Sequence, residues 1–404
     1  MSTTEVSPTA LKPPQSSVNV VTWLRQNLFN GWINSLITVV LGWLVITVLY
    51  QVVNWVFTDA TWAPIVTNLR LFWVGRYPET VLWRVQACLA LVLLLFGLSG
   101  GLWGGVVRAV ASGLAALMVL LALLPFGGGM RLYLAGTALL LGAGFVGGLR
   151  FPRLLRWPTI MLWLLSPLIV ILLIRGFVTW SVIPFVDTGL WGGLLLTIFL
   201  AVVGIVASFP LGVLLALGRR SKLPVVKGFC VAYIELIRGV PLITVLFMAM
   251  LMLPLFLPPH VRVDNLVRVL VAITLFSAAY LAENVRGGLQ SVPNGQVEAA
   301  RALGLNVFQS TVLIVLPQAL RAVIPAIVGQ FISLFKDTSL VSLVGLTELF
   351  GIARGVIEQP EWITVTGGVQ REVLIFVGLI YWIFCFSMAQ ISRRIETRLG
   401  VGTR

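Results

Sequence analysis

Histidine occurs once in this 404-residue chain, as His260, cysteine three times and lysine four times. Charge is scarce altogether: 10% of residues, with 14 acidic against 28 basic. Each shortage excludes something. Metal enzymes gather histidines, thiols or carboxylates; none cluster here, so no metal ligand is assigned. Cys88, Cys230 and Cys385 sit far apart inside apolar runs, where a thiol serves as a small hydrophobe rather than as half of a disulfide. The four lysines follow Leu11, Ser221, Val226 and Phe335. No Gly-Lys pair exists, which excludes the phosphate loop that ends in Gly-Lys-Ser/Thr. A nucleophile elbow and a convergent carboxylate pair are missing as well, so no catalytic residue is assigned and no enzyme is expected. The net charge of +14 comes without the basic–aromatic stripe of nucleic-acid modules, and no nucleic acid partner is expected. Residues 1–20 lack the basic start, apolar centre and small-residue cleavage site of a signal peptide. They are rich in Ser, Thr and Pro and read as a flexible tail.

What is present is apolar. Hydrophobic residues make up 59% of the chain, and the mean hydropathy is +1.02. A soluble domain of this size cannot bury so much apolar surface. Several runs exceed the ~18 residues a helix needs to cross the hydrocarbon layer. A membrane β-barrel would instead show short alternating segments. The fold class is therefore an all-α polytopic membrane protein, with lipid as its surroundings. Ten spans are read, near 33–53, 84–100, 107–126, 132–149, 159–177, 191–217, 228–257, 266–286, 312–336 and 371–392. The pair within 107–149 is rich in glycine and split by PFGGGMR. As an imperfect hairpin it would leave eight full crossings.

Basic residues orient the spans. One set of alternate loops holds Arg150, Arg153 and Arg156, then Arg219, Arg220, Lys222 and Lys227, then Arg286 and Arg301, then Arg393, Arg394 and Arg398. The other set holds little: Arg131, then Arg262, then Arg354 and Arg371. The rich side is cytoplasmic, which places both termini inside. The chain divides into a cytoplasmic tail at 1–30, an N-terminal transmembrane extension of about five spans at 31–185, and five further spans at 186–404. The aromatic stretch between the first two spans suits the outer interface, where Trp and Tyr are favoured.

An ionisable side chain inside a span costs at least ~2.5–3.5 kcal/mol on insertion scales, so each needs a reason. Three clusters stand out, all in the second half. In YIELIRGVPL, 233–242, Glu235 and Arg238 lie three apart on one helical face and can pair; Gly239 and Pro241 then break the helix. In FSAAYLAENVRGGL, 276–289, Tyr280, Glu283 and Arg286 repeat that spacing. In GQFISLFKDTSLVSLVG, 329–345, Lys336 lies about 22 Å above Arg321 if the helix is regular. The run Lys336-Asp337-Thr338-Ser339 reads as a break, with Asp337 or Thr338 capping a new helix over 340–354. A helix N-terminus at such a break suits a carboxylate. Gln330 is placed on the face of Lys336. Two readings stand for every cluster: charges that satisfy one another and fix helix register, or groups lining a substrate path.

The segment SVPNGQVEAARALGL, 291–305, leaves the membrane between two spans. Asn294 can cap a helix and Gly304 can end one in a left-handed turn. The helix between them is too short to stand alone. Val297, Ala300 and Leu303 can face the bundle, leaving Glu298 and Arg301 outside. Two readings apply: an ordinary amphipathic helix at the headgroups, or a docking element.

The order Glu298-Ala299-Ala300, then Gly304, then Ile314, then Leu316-Pro317 resembles the cytoplasmic coupling signature of permease subunits of ATP-binding-cassette importers. Glu235-x-x-Arg238-Gly239-x-Pro241, Tyr280-x-x-Glu283-x-x-Arg286 and Lys336-Asp337-Thr338-Ser339-Leu340 resemble the polar-amino-acid branch of that family. The resemblance covers 190–392. The long N-terminal half departs from the minimal five-helix members and is similar to the larger permease of general L-amino-acid importers.

The resemblance implies a type I importer permease core at 186–404 in a bacterial inner membrane, with a coupling helix at 294–305. Glu298, Ala299, Ala300, Arg301 and Gly304 would form the contact with separate ATPase subunits, which bind ATP and Mg; no cofactor is expected in this chain. Glu235, Arg238, Tyr280, Glu283, Gln330, Lys336, Asp337, Thr338 and Ser339 would line the path. The implied partners are the ATPase subunits, a second permease that is a related paralogue, and a periplasmic amino-acid-binding protein. The alternative is a secondary amino acid transporter driven by an ion gradient. It would need a broken helix in each of two repeats, and the N-terminal half offers no partner for the break at Lys336.

Overall fold

The computed structural model describes residues 20–123, 128–179, 182–258, 260–365 and 367–400. The tail at 1–19 and the start of PFGGGMR lie outside the described residues. Among the described residues there is no strand, only three isolated bridges. The chain divides into two compact units, residues 1–62 and 63–404.

The first unit holds α1 (Val20–Asn27) and α2 (Trp32–Thr58). None of the 27 residues of α2 is buried, although the helix is apolar on every side. Such a helix is stable in hydrocarbon rather than in water. At its end the Trp62 indole donates to the Val56 carbonyl at 3.2 Å.

The second unit begins with two short helices, α3 (Ala63–Thr67) and α4 (Leu69–Val74). Four long ones follow: α5 (Trp83–Trp103), α6 (Gly105–Leu123), α7 (Gly128–Arg150) and α8 (Pro152–Arg175). Helices α6 and α7 are each long and apolar enough to cross a membrane, so the hairpin reading of this pair gives way to two full helices. Helices α5 and α7 cross at backbone contact. A Cβ placed on Gly148 would stand 2.5 Å from the Leu98 carbonyl, and Gly97 and Gly101 meet Leu141 and Phe145 in the same way. Close approach of small residues is how helices associate where no hydrophobic effect drives them together. The Trp163 indole donates to Ser99 Oγ at 2.8 Å and ties α8 to α5.

After residue 176 the chain enters α9 (Gly193–Arg219), α10 (Pro224–Arg238), α11 (Leu242–Phe247) and α12 (Leu253–Phe256). Next come α13 (Asn265–Ser291), α14 (Asn294–Ala302), α15 (Val307–Gln309) and α16 (Leu316–Asp337). The last are α17 (Leu349–Ile357), α18 (Pro360–Ile363) and α19 (Gln370–Leu399). Among the described residues nine helices are long and apolar enough to span, ten with the bent pair at 224–256. That pair bends by 104° at Gly239–Pro241, where proline removes an amide donor and blocks continuation of the helix.

Helix α13 is the centre of this half, packing on α9 and α16, while α16 packs on α19. Trp191, Phe199, Leu200, Ile273, Leu334 and Phe335 fill one end of its core. Ile234, Leu281, Val285, Leu289 and Ala319 fill the other. Within the extension, Tyr77 donates to the Ile174 carbonyl at 2.8 Å and Arg84 to the Pro184 carbonyl at 2.8 Å. Other contacts fasten residues 68–75 to the second half. The amides of Asn68 and Gln359 exchange bonds of 3.2 and 3.1 Å. Gly75, at φ +64°, lets the turn after α4 press directly on the Gly192 backbone.

Candidate coupling helix and intramembrane polar clusters

Helix α14 is closed by backbone bonds at its C-terminal end. Pro293 takes the extended N-cap backbone, with φ −59° and ψ 140°, and no side chain caps the helix. Asn294 is already inside the first turn, so the expected Asn294 cap is not formed. At the other end Gly304 N–H bonds to Arg301 O at 2.9 Å and Leu305 N–H to Ala300 O at 3.1 Å. With Gly304 at φ +78°, this is a Schellman stop, and only glycine adopts that φ freely. Three residues on, Asn306 and Gln309 form a reciprocal capping box, with bonds of 2.8 and 3.0 Å, and the next helix starts at once.

That start revises the place where the chain returns to the membrane. A continuous helical segment runs over Val307–Val344. Pro317 sits one residue inside α16, after a widened π turn at Ser310–Val315. The wider turn spares the amide that proline lacks, so Pro317 is absorbed within the span instead of marking its beginning.

Of the residues assigned to face the bundle, Val297 is half-buried and Ala300 is buried, while Leu303 is 80% exposed. Val307 and Phe308, at 72% and 74%, lie exposed beside it. Glu298, Ala299 and Arg301 are exposed too. Among the described residues neither Glu298 nor Arg301 has a hydrogen-bond or ion-pair partner within the chain. An apolar patch carrying two unpaired charges of opposite sign therefore projects from α14 and the turn after it.

The first two polar clusters merge into one network. Glu283 accepts from Arg219 at 2.7 Å and from Arg286 at 2.7 Å, and Arg238 approaches at 3.5 Å. Glu235 does not pair with Arg238. It pairs with Arg219 at 3.0 Å, while the Arg238 guanidinium lies 5.6 Å from the Tyr280 ring centre. The local i, i+3 pair loses because α9, α10 and α13 converge here, and partners on other helices satisfy each charge better. Three arginines against two glutamates leave a net charge of +1. Arg219, read from sequence only as an orienting loop residue, is the bridge between both carboxylates.

The third cluster differs more from expectation. No break occurs at Lys336. Helix α16 runs to Asp337 and tightens into a 3-10 turn over Thr338–Val344, ending at Gly345 with φ +92°. The Thr338, Ser339 and Ser342 hydroxyls bond back to the carbonyls of Phe335, Lys336 and Ser339. Neither Asp337 nor Thr338 caps a new helix, and no free helix N-terminus lies at this point. Lys336 and Ser339 instead border a cleft of about 270 Å³ closed by Phe350, Leu374, Val377 and Tyr381. Gln330 is not in its lining; six residues place it about 120° around the helix from Lys336.

The cap of the next helix is Glu348, which the sequence reading missed. It is 0% exposed. Its carboxylate accepts from the Phe350 and Gly351 amides at 2.8 Å each, and from Tyr381 Oη at 2.9 Å. Thr197 Oγ1 stands 3.4 Å away and itself accepts from Leu349 N–H at 3.0 Å. Helices α9, α17 and α19 thus share one buried acid on the turn between two spans. Burial pushes its pKa up to about 7, opposed by the bonds it accepts. Glutamate is not among the preferred N-cap residues, and nothing local in TELFGIA marks it.

Comparison with known proteins places this architecture. Residues 208–401 match the family described as binding-protein-dependent transport system inner membrane component. The chain is 38% identical over 402 residues to the inner membrane amino-acid ABC transporter permease protein YhdY of Escherichia coli, covering 96% of this chain and 95% of that one. It is 37% identical over 436 residues to the glutamate/glutamine/aspartate/asparagine transport system permease protein BztC of Rhodobacter capsulatus, with the same two coverages. A solved amino acid ABC transporter, crystallised with histidines, is 29% identical over 51% of this chain and 92% of that chain, with a TM-score of 0.45. Both long relatives span the N-terminal half as well. An ion-gradient transporter is not supported. The chain belongs to the family of inner-membrane permease subunits of binding-protein-dependent, ATP-driven amino acid importers, in which other subunits hydrolyse the ATP.

Proposed function

We propose that α14 is the element by which this permease is driven. The observation that carries the reading is its outward surface: Glu298 and Arg301 side chains unpaired beside exposed Leu303, Val307 and Phe308, on a helix closed by a Schellman stop and followed at once by a capped helix. A water-facing surface does not need such rigidity or so much bare apolar area. A groove on an ATPase subunit that binds ATP and Mg would cover both. Glu298, Ala299, Ala300, Arg301 and Gly304 are assigned to this contact, and both termini to the cytoplasm with it.

The core at 186–404 would form half of the path, completed by a second permease of related sequence. A periplasmic binding protein would deliver the amino acid at the opposite end. Lys336, Ser339 and the cleft beside them are assigned to the path, with Asp337 and Thr338 supporting the helix and Gln330 on another face. Lys336 has no ion-pair partner among the described residues, and an intramembrane ammonium suits a substrate carboxylate. The network of Glu235, Arg238, Tyr280 and Glu283 would be the inner end of the path. Glutamate, glutamine, aspartate and asparagine, named for the Rhodobacter relative, are the substrates to try first.

Proteoliposomes holding the full complex test the reading. Uptake should require ATP on the α14 side and binding protein on the other. Uptake driven by a proton gradient without ATP would contradict it.

A further inference from the structure

At the end of α13 away from α14, some 40 Å distant along the helix, the structure holds a polar cavity of about 400 Å³. Small-molecule sites begin at roughly 300 Å³. Four separate stretches build it. Arg76 comes from the turn after α4, Asp187 and Trp191 from the segment before α9, Asp264 and Asn265 from the start of α13, and Thr347 from the turn before α17. Arg76 is brought here by Gly75, whose positive φ lets its backbone lie against Gly192.

The charges in this cavity do not neutralise one another. Asp264 is used up by the fold: one oxygen accepts from the Leu266 and Val267 amides at 2.8 and 3.4 Å, the other from Thr188 Oγ1 at 2.6 Å. Asp187 accepts only from the Gly189 amide, at 2.7 Å, through one oxygen. Among the described residues the Arg76 guanidinium has no hydrogen-bond or ion-pair partner, although both carboxylates line the same space. Trp191 is 2% exposed, and its indole N–H has no acceptor. One carboxylate oxygen and one guanidinium, both reaching the same space, are thus left to a guest.

We infer that this cavity is a binding site for a small zwitterion of the α-amino-acid type. Asp187 takes the ammonium and Arg76 takes the carboxylate. A simple anion would leave Asp187 unanswered and a simple cation would leave Arg76 unanswered, so a ligand carrying both charges close together fits best. The site is separate from the cleft at Lys336 and stands on its own chemistry. Only its position on the outer face rests on the proposed orientation.

The test is equilibrium binding of radiolabelled L-glutamine to the full-length chain in lipid nanodiscs, without binding protein or ATP. Saturable binding is expected. Glutamine methyl ester, which lacks the carboxylate, and N-acetylglutamine, which lacks the ammonium, should each compete about tenfold more weakly or worse, the scale of one lost charged bond. Arg76→Gln and Asp187→Asn should each weaken binding by about that factor with unchanged melting temperature. Both side chains are exposed and hold no core contact. Absence of saturable binding by the folded wild-type chain overturns the inference. So does binding that survives Arg76→Gln and Asp187→Asn, or that is lost only with Lys336→Gln; the last result would move the ligand to the path cleft and leave the importer reading intact.

Discussion

Arg219, the last residue of α9, reaches Glu283 in the middle of α13 at 2.7 Å and Glu235 on α10 at 3.0 Å. One guanidinium therefore fastens three helices just before the chain leaves for α14. Removing a single partner from a half-buried network leaves the others uncompensated, which costs far more than the pair itself contributes. Glu283→Ala should destabilise the permease by about 3 kcal/mol, read as a lower melting temperature in detergent. Replacing Arg219 and Glu283 together by Met and Leu should recover part of that loss. A double variant no more stable than Glu283→Ala would mean that the network acts as more than paired charges.

Gly304 holds α14 at its stop. A β-branched side chain at φ +78° is strained by roughly 1–2 kcal/mol, enough to displace a nine-residue helix but not a span. Gly304→Val should insert into the membrane at normal levels and lose most of its uptake. Gly304→Asn, which tolerates the left-handed region, should keep more. Normal uptake by the valine variant would remove the docking role.

Glu348 makes stability fall as pH rises. Its pKa goes from 4.5 to about 7 on burial. Below pH 4.5 the group is protonated in both folded and unfolded chains, and its contribution is fully present. Between 4.5 and about 7 the unfolded chain ionises first, so stability is lost progressively, on the order of 3 kcal/mol in all. Glu348→Gln keeps one acceptor oxygen for either the Phe350 or the Gly351 amide and cannot ionise. Its melting temperature should therefore hold steadier than that of the wild type over this interval. Parallel curves for the two proteins would contradict the assignment.

Lys336→Ala should lower the ATP hydrolysis stimulated by loaded binding protein more than the basal rate, because it removes the cation at the cleft and leaves α14 untouched. An equal fall in both rates would point to a folding defect instead.

The sequence showed some of this architecture plainly and hid the rest. Long apolar runs gave the spans because nothing else accounts for so much bare hydrophobic length. Gly304 located the end of α14 because a glycine stop is local chemistry, whereas the cap expected at Asn294 is not formed. What stayed hidden depends on distant partners. Glu235 and Arg238 looked like a pair at i, i+3, and only the convergence of α9 and α13 reassigns them. The run of Thr338, Ser339 and Ser342 reads equally as a helix start or as a turn that tightens while its hydroxyls bond backward; the structure chose the second. Glu348 was invisible because its role is created by Thr197 and Tyr381, far away in the chain. The same holds for Arg76 and Asp187, which share a cavity across more than a hundred residues.

The most direct measurement is cysteine cross-linking from α14 in intact membranes, with single cysteines at the positions of Glu298 and Arg301. The account predicts a covalent product with an ATP-hydrolysing subunit, changing in yield when ATP is added. Products formed only with lipid, or only within the permease itself, would contradict it.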